Sequence, residues 1–195
     1  MKIKSELLNF NNLEEGVYAI TGGAGAGKST ITEHIEKTYP VIHFDDFFIG
    51  DSFYRKDLLI RKGASIAEYI DACNQYNWWD WPEIFGVVDR YKAKYSKFFV
   101  EGAILGPTLH YYKHIFFVYE SSEVRFTRIC KRDKGKRNIH ELMARFLVTE
   151  FSENYYYRNY LGRNSLPITY MSSYGAVTPH FTPLDNAFIP LEVVF

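Results

Sequence analysis

The chain has 195 residues, of which 47% are hydrophobic, enough for one globular domain around one sizeable core. Lys and Arg number 23 against 23 Asp and Glu, so no basic field marks a nucleic-acid binder, which would need a local patch that composition does not reveal. No window approaches the roughly 18 apolar residues of a membrane span, and nothing after Met1 reads as a secretion signal.

The first readable element is a short buried strand at Val17-Tyr18-Ala19-Ile20-Thr21. It runs into Gly22-Gly23-Ala24-Gly25-Ala26-Gly27-Lys28-Ser29, which fits G-x-x-x-x-G-K-[ST] at every fixed position. Ser29 through Lys37 follows as an amphipathic helix with Ile31 and Ile35 four apart. Strand, glycine loop and helix in this order form a phosphate-binding P-loop. The glycines let backbone N–H groups curl around a polyphosphate, and the helix N-terminus adds its positive dipole end. Lys28 can reach the β- and γ-phosphates, the Ser29 hydroxyl can complete a Mg²⁺ shell, and Thr30 belongs to the same nucleotide-binding run.

Pro40 ends that helix, and Val41-Ile42-His43-Phe44 reads as a second strand delivering Asp45-Asp46-Phe47-Phe48. Asp45 is placed to accept a proton from an acceptor hydroxyl or to hold a Mg²⁺-bound water; capping of the next turn is the structural alternative for either aspartate. A helix is expected over Ile66–Gln75, then an interruption at Asn77-Trp78-Trp79-Asp80-Trp81-Pro82, with Pro82 in the first turn of a helix to about Tyr95. Phe98-Phe99-Val100 is a third strand ending at Glu101-Gly102. A carboxylate there can serve beside Mg²⁺, or can be an ordinary solvated loop group.

His114–Tyr119 supplies a fourth strand. Ser121 is placed to cap a helix through Arg132, with Glu123 favourable in its first turn. Arg128 and Arg132 share a face by the i, i+4 rule, and with Arg137 in the following charged loop they form a candidate lid over the phosphates. Arg125 on the same helix reads as an exposed charge. A helix from Ile139 to about Tyr160 and a fifth strand in the proline-rich last 30 or so residues complete the pattern.

Short apolar strands alternating with helices predict a mostly parallel five-stranded α/β sheet with helices on both faces and a small lid. In this three-layer arrangement ligands bind beyond the carboxyl ends of the strands, where three of the four readable strands end in the P-loop, Asp45-Asp46 and Glu101-Gly102. One domain is expected over 1–195, with an acceptor-binding insertion at about 49–96 and the lid at about 128–140. Cys73 and Cys130 match no metal-ligand spacing and read as reduced thiols of a cytoplasmic protein. The six His residues are scattered without ligand spacing.

The pieces at 22–30, 41–48 (V-I-H-F-D-D-F-F), 78–83 (W-W-D-W-P-E), 98–102 (F-F-V-E-G) and 125–137 (R-F-T-R-I-C-K-R-D-K-G-K-R) resemble, in family order, the uridine kinase and nicotinamide riboside kinase group. The resemblance covers roughly residues 17–140, and the D-D-F-F and W-D-x-P-E segments lean toward the nicotinamide riboside kinases. It implies transfer of the ATP γ-phosphate, with Mg²⁺, to a hydroxyl of a nucleoside-like small molecule. Asp45 would orient that hydroxyl, Asp80 would bind sugar hydroxyls and Trp79 would stack on the base; for Asp80 the alternative is an N-cap just before Pro82. Arg128 and Phe48, which stands where uridine kinases carry Tyr, would belong to the acceptor side. Glu101 would sit near the metal, and Arg132 and Arg137 would close over the nucleotide, with Lys28, Asp45 and Arg132 as the catalytic set. Ile129 departs from the family's second Arg, and the chain after Ile139 matches weakly. Other readings are a kinase of another alcohol, including a modified nucleoside or a base in nucleic acid, and a non-catalytic nucleotide-binding module. The absence of the guanine-specifying N-K-x-D sequence counts against a GTPase switch.

Overall fold

The computed structural model describes residues 10–49, 79–157, 161, 165–172 and 175–176. The helix expected over Ile66–Gln75, Trp78 and Cys73 fall outside these. The elements are β1 (Gly16–Thr21), α1 (Lys28–Ile35), β2 (Val41–His43), α2 (Trp81–Lys94), β3 (Lys97–Glu101), β4 (Tyr112–Val118), α3 (Ser122–Arg132), α4 (Ile139–Tyr156), β5 (Ile168–Ser172) and β6 (Gly175–Ala176). The sheet runs β2-β3-β1-β4-β5-β6. Its first five strands pair parallel, and the two-residue β6 adds an antiparallel edge. The expected α/β class and five-stranded parallel sheet are thus observed.

Alternation along the strands explains why they read as continuous apolar runs. In β1, β3 and β4, Val17, Ala19, Phe98, Val100, Ile115 and Phe117 face one core, which also takes Ile84 and Val88 of α2 and Tyr157. Their neighbours Tyr18, Ile20, Phe99, Phe116 and Val118 face a second core with Phe10 and with Ile31 and Ile35 of α1. A strand buried on both faces needs apolar residues at every position. On the second face Phe10 sits edge-on to Phe99 and Phe116, with centroids 5.4 and 5.3 Å apart. Such pairs add about 0.5–1.5 kcal/mol each beyond area burial. A smaller cluster of Ile129, Leu142 and Phe146 joins α3 to α4.

Helix boundaries follow local chemistry. The Ser121 hydroxyl accepts the Val124 N–H at 3.3 Å, capping α3 as its position suggested. At α2 the cap is Asp80, whose Oδ1 accepts the Glu83 N–H at 3.1 Å, with Pro82 in the first turn. Phe48 and Trp79 form an antiparallel bridge, and the Asp80 N–H donates to the Phe47 carbonyl at 2.9 Å, so the chain on either side of 50–78 is fastened together beside β2. Among the described residues, no helix is long and apolar enough to cross a membrane.

Loss of the α2 cap has a defined cost. Asp80→Ala lowers unfolding free energy by about 1 kcal/mol, within the 0.5–2 kcal/mol range of such caps, and Asp80→Ser recovers most of it in denaturant melts.

Candidate active site

Parallel register brings the site together. Ile20 of β1 and His43 of β2 both lie opposite Glu101 of β3, so the P-loop, the Asp45 turn and Glu101 emerge side by side at one end of the sheet. They open on a cavity of about 660 Å³. Its walls include Ala24, Gly25, Gly27, Lys28, Ser29 and Thr30 from the P-loop and α1, then Asp45, Phe48, Trp79, Glu101 and Ile104. Arg128, Arg132, Asp133, Arg137, Phe146, Thr149 and Glu153 line the part formed by α3, α4 and the loop between them.

The P-loop is shaped by what its carbonyls meet. Lys28 Nζ donates to the carbonyls of Gly22 and Gly23 at 2.9 and 3.3 Å. Arg125 Nε donates to that of Ala24 at 2.9 Å, and Arg128 Nη1 to those of Gly25 and Ala26 at 3.3 and 2.9 Å. Five consecutive carbonyls are therefore satisfied by three cations. Gly25 has φ +79°, and a Cβ there would lie 2.7 Å from the Arg125 carbonyl oxygen. At Gly23 a Cβ would lie 2.3 Å from the Arg125 guanidinium carbon, so side chains at both positions would push α3 off the loop.

Three residues of the expected nucleotide-binding run, Gly22, Gly23 and Ala26, are packed inside the loop's own construction. Gly22 is packed against the Val118 backbone, Gly23 against Arg125, and Ala26 is fully buried; none of the three is on the cavity wall. Arg125 overturns the expectation of an exposed charge. It is 6% exposed, pairs with Glu153 at 3.2 Å and Glu150 at 3.5 Å, and lies over the Phe146 ring. The missed signal was spacing: Arg125 lies three residues before Arg128, a same-face relation on a helix. Glu153 and Thr149 on α4 belonged to no motif.

Glu101 is 4% exposed. Its Oε1 lies 3.9 Å from Lys28 Nζ, and its Oε2 is 2.9 Å from His43 Nδ1. His43 Nε2 meets Glu36 at 2.7 Å. Burial works to lower the His43 pKa, but its hydrogen bonds to Glu36 and Glu101, with the charges of those carboxylates, outweigh it and raise the pKa above 6.5. Ser29 and Glu101 offer hydroxyl and carboxylate oxygen, hard donors that suit Mg²⁺. No group of three or more His, Cys, Asp or Glu capable of caging a metal occurs among the described residues.

Of the two adjacent aspartates, Asp45 is on the cavity wall and Asp46 is not. Phe48 and Trp79 meet edge-on at 5.8 Å, with Trp79 7% exposed, and form an aromatic wall nearby. Asp80 is absent from the wall; its carboxylate caps α2, the role sequence reasoning had weighed against hydroxyl binding. Arg128 reaches the cavity while braced on the P-loop and on Glu120 at 3.3 Å. Arg132 and Arg137 converge on the buried Asp133 carboxylate at 3.0 and 3.4 Å. Cys130 is a free thiol.

No family model matches the chain, and no curated protein matches its sequence. Its structure is similar to that of a sugar kinase from a Janibacter species, with a TM-score of 0.51, 12% identity, and 82% of this chain and 86% of that one covered. A gluconokinase from Sinorhizobium meliloti 1021 gives a TM-score of 0.47 at 16% identity, covering 80% of this chain and 82% of that one. Deoxyadenosine kinase from M. mycoides gives 0.48 at 16% identity, covering 83% and 91%. At 12% identity the likeness to that sugar kinase is one of α/β fold alone.

The Asp133 carboxyl is held below its ordinary 3.8, chiefly by the hydrogen bond from Arg132, against burial and with help from the charges of Arg132, Arg137 and Lys136. A depressed folded-state pKa stabilises the native state above the unfolded pKa, and that contribution disappears as pH falls through the folded value. Asp133→Asn is therefore less stable than the parent at neutral pH. The gap closes as pH drops below 3.8 in urea melts taken across the acid limb.

Proposed function

We propose that this protein is an ATP-dependent kinase that transfers the γ-phosphate to a hydroxyl of a nucleoside-type small molecule, with nicotinamide riboside or a pyrimidine nucleoside as the favoured acceptor class. One observation carries the reading. The P-loop, Asp45 and Glu101, from the ends of three different strands, line a single cavity together with an aromatic wall. A bare nucleotide-binding module has no need of Asp45 or of the aromatic wall. The shared fold with a sugar kinase supports phosphoryl transfer to an alcohol, and the aromatic lining of Phe48 and Trp79 favours an acceptor carrying a ring.

The residues divide by charge. Lys28 and the N–H groups at the start of α1 neutralise the transferred phosphate, where fixed positive charge in a partly dry site lowers the barrier most. Arg132 at the end of α3 and Arg137 in the loop after it close the same side. Ser29 and Glu101 would hold Mg²⁺, which when bound supplies charge neutralisation across the phosphates. Asp45 accepts the proton of the attacking hydroxyl and orients its oxygen toward phosphorus. Asp45 follows β2 and lines the same cavity as the aromatic wall.

ATP consumption against a panel of nucleosides and sugars tests this directly. Turnover requires Mg²⁺ and stops on addition of EDTA. Lys28→Ala brings turnover below detection while the chain stays folded, with a lowered melting temperature because the Gly22 and Gly23 carbonyls lose their donor. Asp45→Asn lowers kcat by about 10²–10⁴-fold while leaving ATP affinity in place, since an amide cannot take the proton. Full activity in Lys28→Ala would refute the nucleotide site, and a normal kcat in Asp45→Asn would refute the base.

A further inference from the structure

Glu153 lies outside every motif and yet reaches the P-loop. Its side chain is 2% exposed, and its Oε1 and Oε2 accept the Ala24 N–H at 2.9 and 3.1 Å. Arg125 Nη2 donates to Glu153 at 3.2 Å, while Arg125 Nε donates to the Ala24 carbonyl at 2.9 Å. Ala24 is therefore gripped at both its N–H and its carbonyl by two side chains that are bonded to each other. A second carboxylate, Glu150, steadies the guanidinium at 3.5 Å and accepts from the Ser122 hydroxyl.

We infer that Glu153 and Arg125 are positioning residues for the nucleotide: together they set the orientation of the P-loop at Ala24 and so the affinity for the triphosphate. The inference rests on the kinase reading above. Physically, a glycine-rich loop has many accessible backbone states, and a phosphate cradle works only if the productive one is selected before ligand arrives. The Ala24 N–H is turned to Glu153, which directs the cradle's donors to the residues from Gly25 onward. Glu153 sits on α4, the helix that follows the Arg132–Asp133–Arg137 loop, so the same helix that carries part of the cavity wall also sets the phosphate loop.

The test measures Mg·ATP dissociation constants by calorimetry, acceptor KM at saturating ATP, and melting temperature. Glu153→Gln keeps an acceptor for the Ala24 N–H and binds ATP within about threefold of the parent. Glu153→Met, of similar length but with no acceptor, weakens ATP at least tenfold with acceptor KM within about twofold. Arg125→Lys keeps the charge but cannot span both the Ala24 carbonyl and Glu153, and also weakens ATP about tenfold, which serves if the Met variant does not fold. Val88→Ala, a core deletion in α2, loses stability without weakening ATP. Parental ATP affinity in Glu153→Met or in Arg125→Lys overturns the inference. So does an ATP loss in Val88→Ala that matches Glu153→Met at equal loss of melting temperature. Lys28→Ala separates the two levels: if it abolishes ATP binding while the Glu153 and Arg125 variants do not affect it, only this inference fails. If the parent itself binds no ATP, the kinase reading fails with it.

Discussion

Five consecutive P-loop carbonyls, from Gly22 to Ala26, accept hydrogen bonds from just three cationic side chains, and the rest of the site depends on this. A loop that presents N–H groups to phosphate must turn its carbonyls away, and buried carbonyls need partners. Lys28 supplies two from within the loop. The others come from Arg125 and Arg128 on α3, so α3 has to pack directly on the loop. That contact requires glycine at 23 and 25, and it draws two guanidinium groups out of water. Arg125 is compensated by Glu150 and Glu153 of α4, which thereby joins the assembly. Removing one partner from a buried pair of this kind costs about 3–5 kcal/mol, far more than any single surface contact.

Charge is distributed across the cavity in a way that suits phosphoryl transfer. Cations gather around the P-loop and the loop after α3, and several are already engaged: Arg128 with P-loop carbonyls, Arg132 and Arg137 with Asp133. Glu101 stands between Lys28 and His43, and Glu36 holds the far side of the imidazole. This chain of paired side chains runs from the P-loop lysine to the end of α1. It keeps a nearly fully buried carboxylate close to a lysine that the proposed chemistry needs, and it fixes the Glu101 carboxylate in one orientation. Among the described residues, the aromatic side, with Phe48, Trp79 and Ile104, brings no cation to the cavity wall.

Much of this was legible in local sequence because it is governed by short-range rules. The strand at 17–21, the P-loop and the α1 helix follow from a contiguous motif and its flanks. The Ser121 cap and the Pro82 helix start follow from residue chemistry within four positions. β5 could be anticipated only as an element somewhere in the last 30 or so residues, and its parallel pairing with β4 came from the structure. Asp80 shows where local reading divides: its spacing before Pro82 fitted a cap and its aromatic neighbours fitted an acceptor contact. The backbone places its carboxylate on the Glu83 N–H and off the cavity wall.

By itself the sequence determined the phosphate-binding loop, the α/β class and the strand-end carboxylates, because each is encoded by residues adjacent in the chain or by a strand's apolar run. Only the tertiary structure decided which charges are buried and what they hold. Arg125 and Glu153 are 28 positions apart, and Ala24 lies 101 and 129 positions from them, so no periodicity or spacing links the three. An arginine on an amphipathic helix reads the same whether it faces water or a glycine loop. The difference lies in what packs against it, which is a property of the folded chain alone.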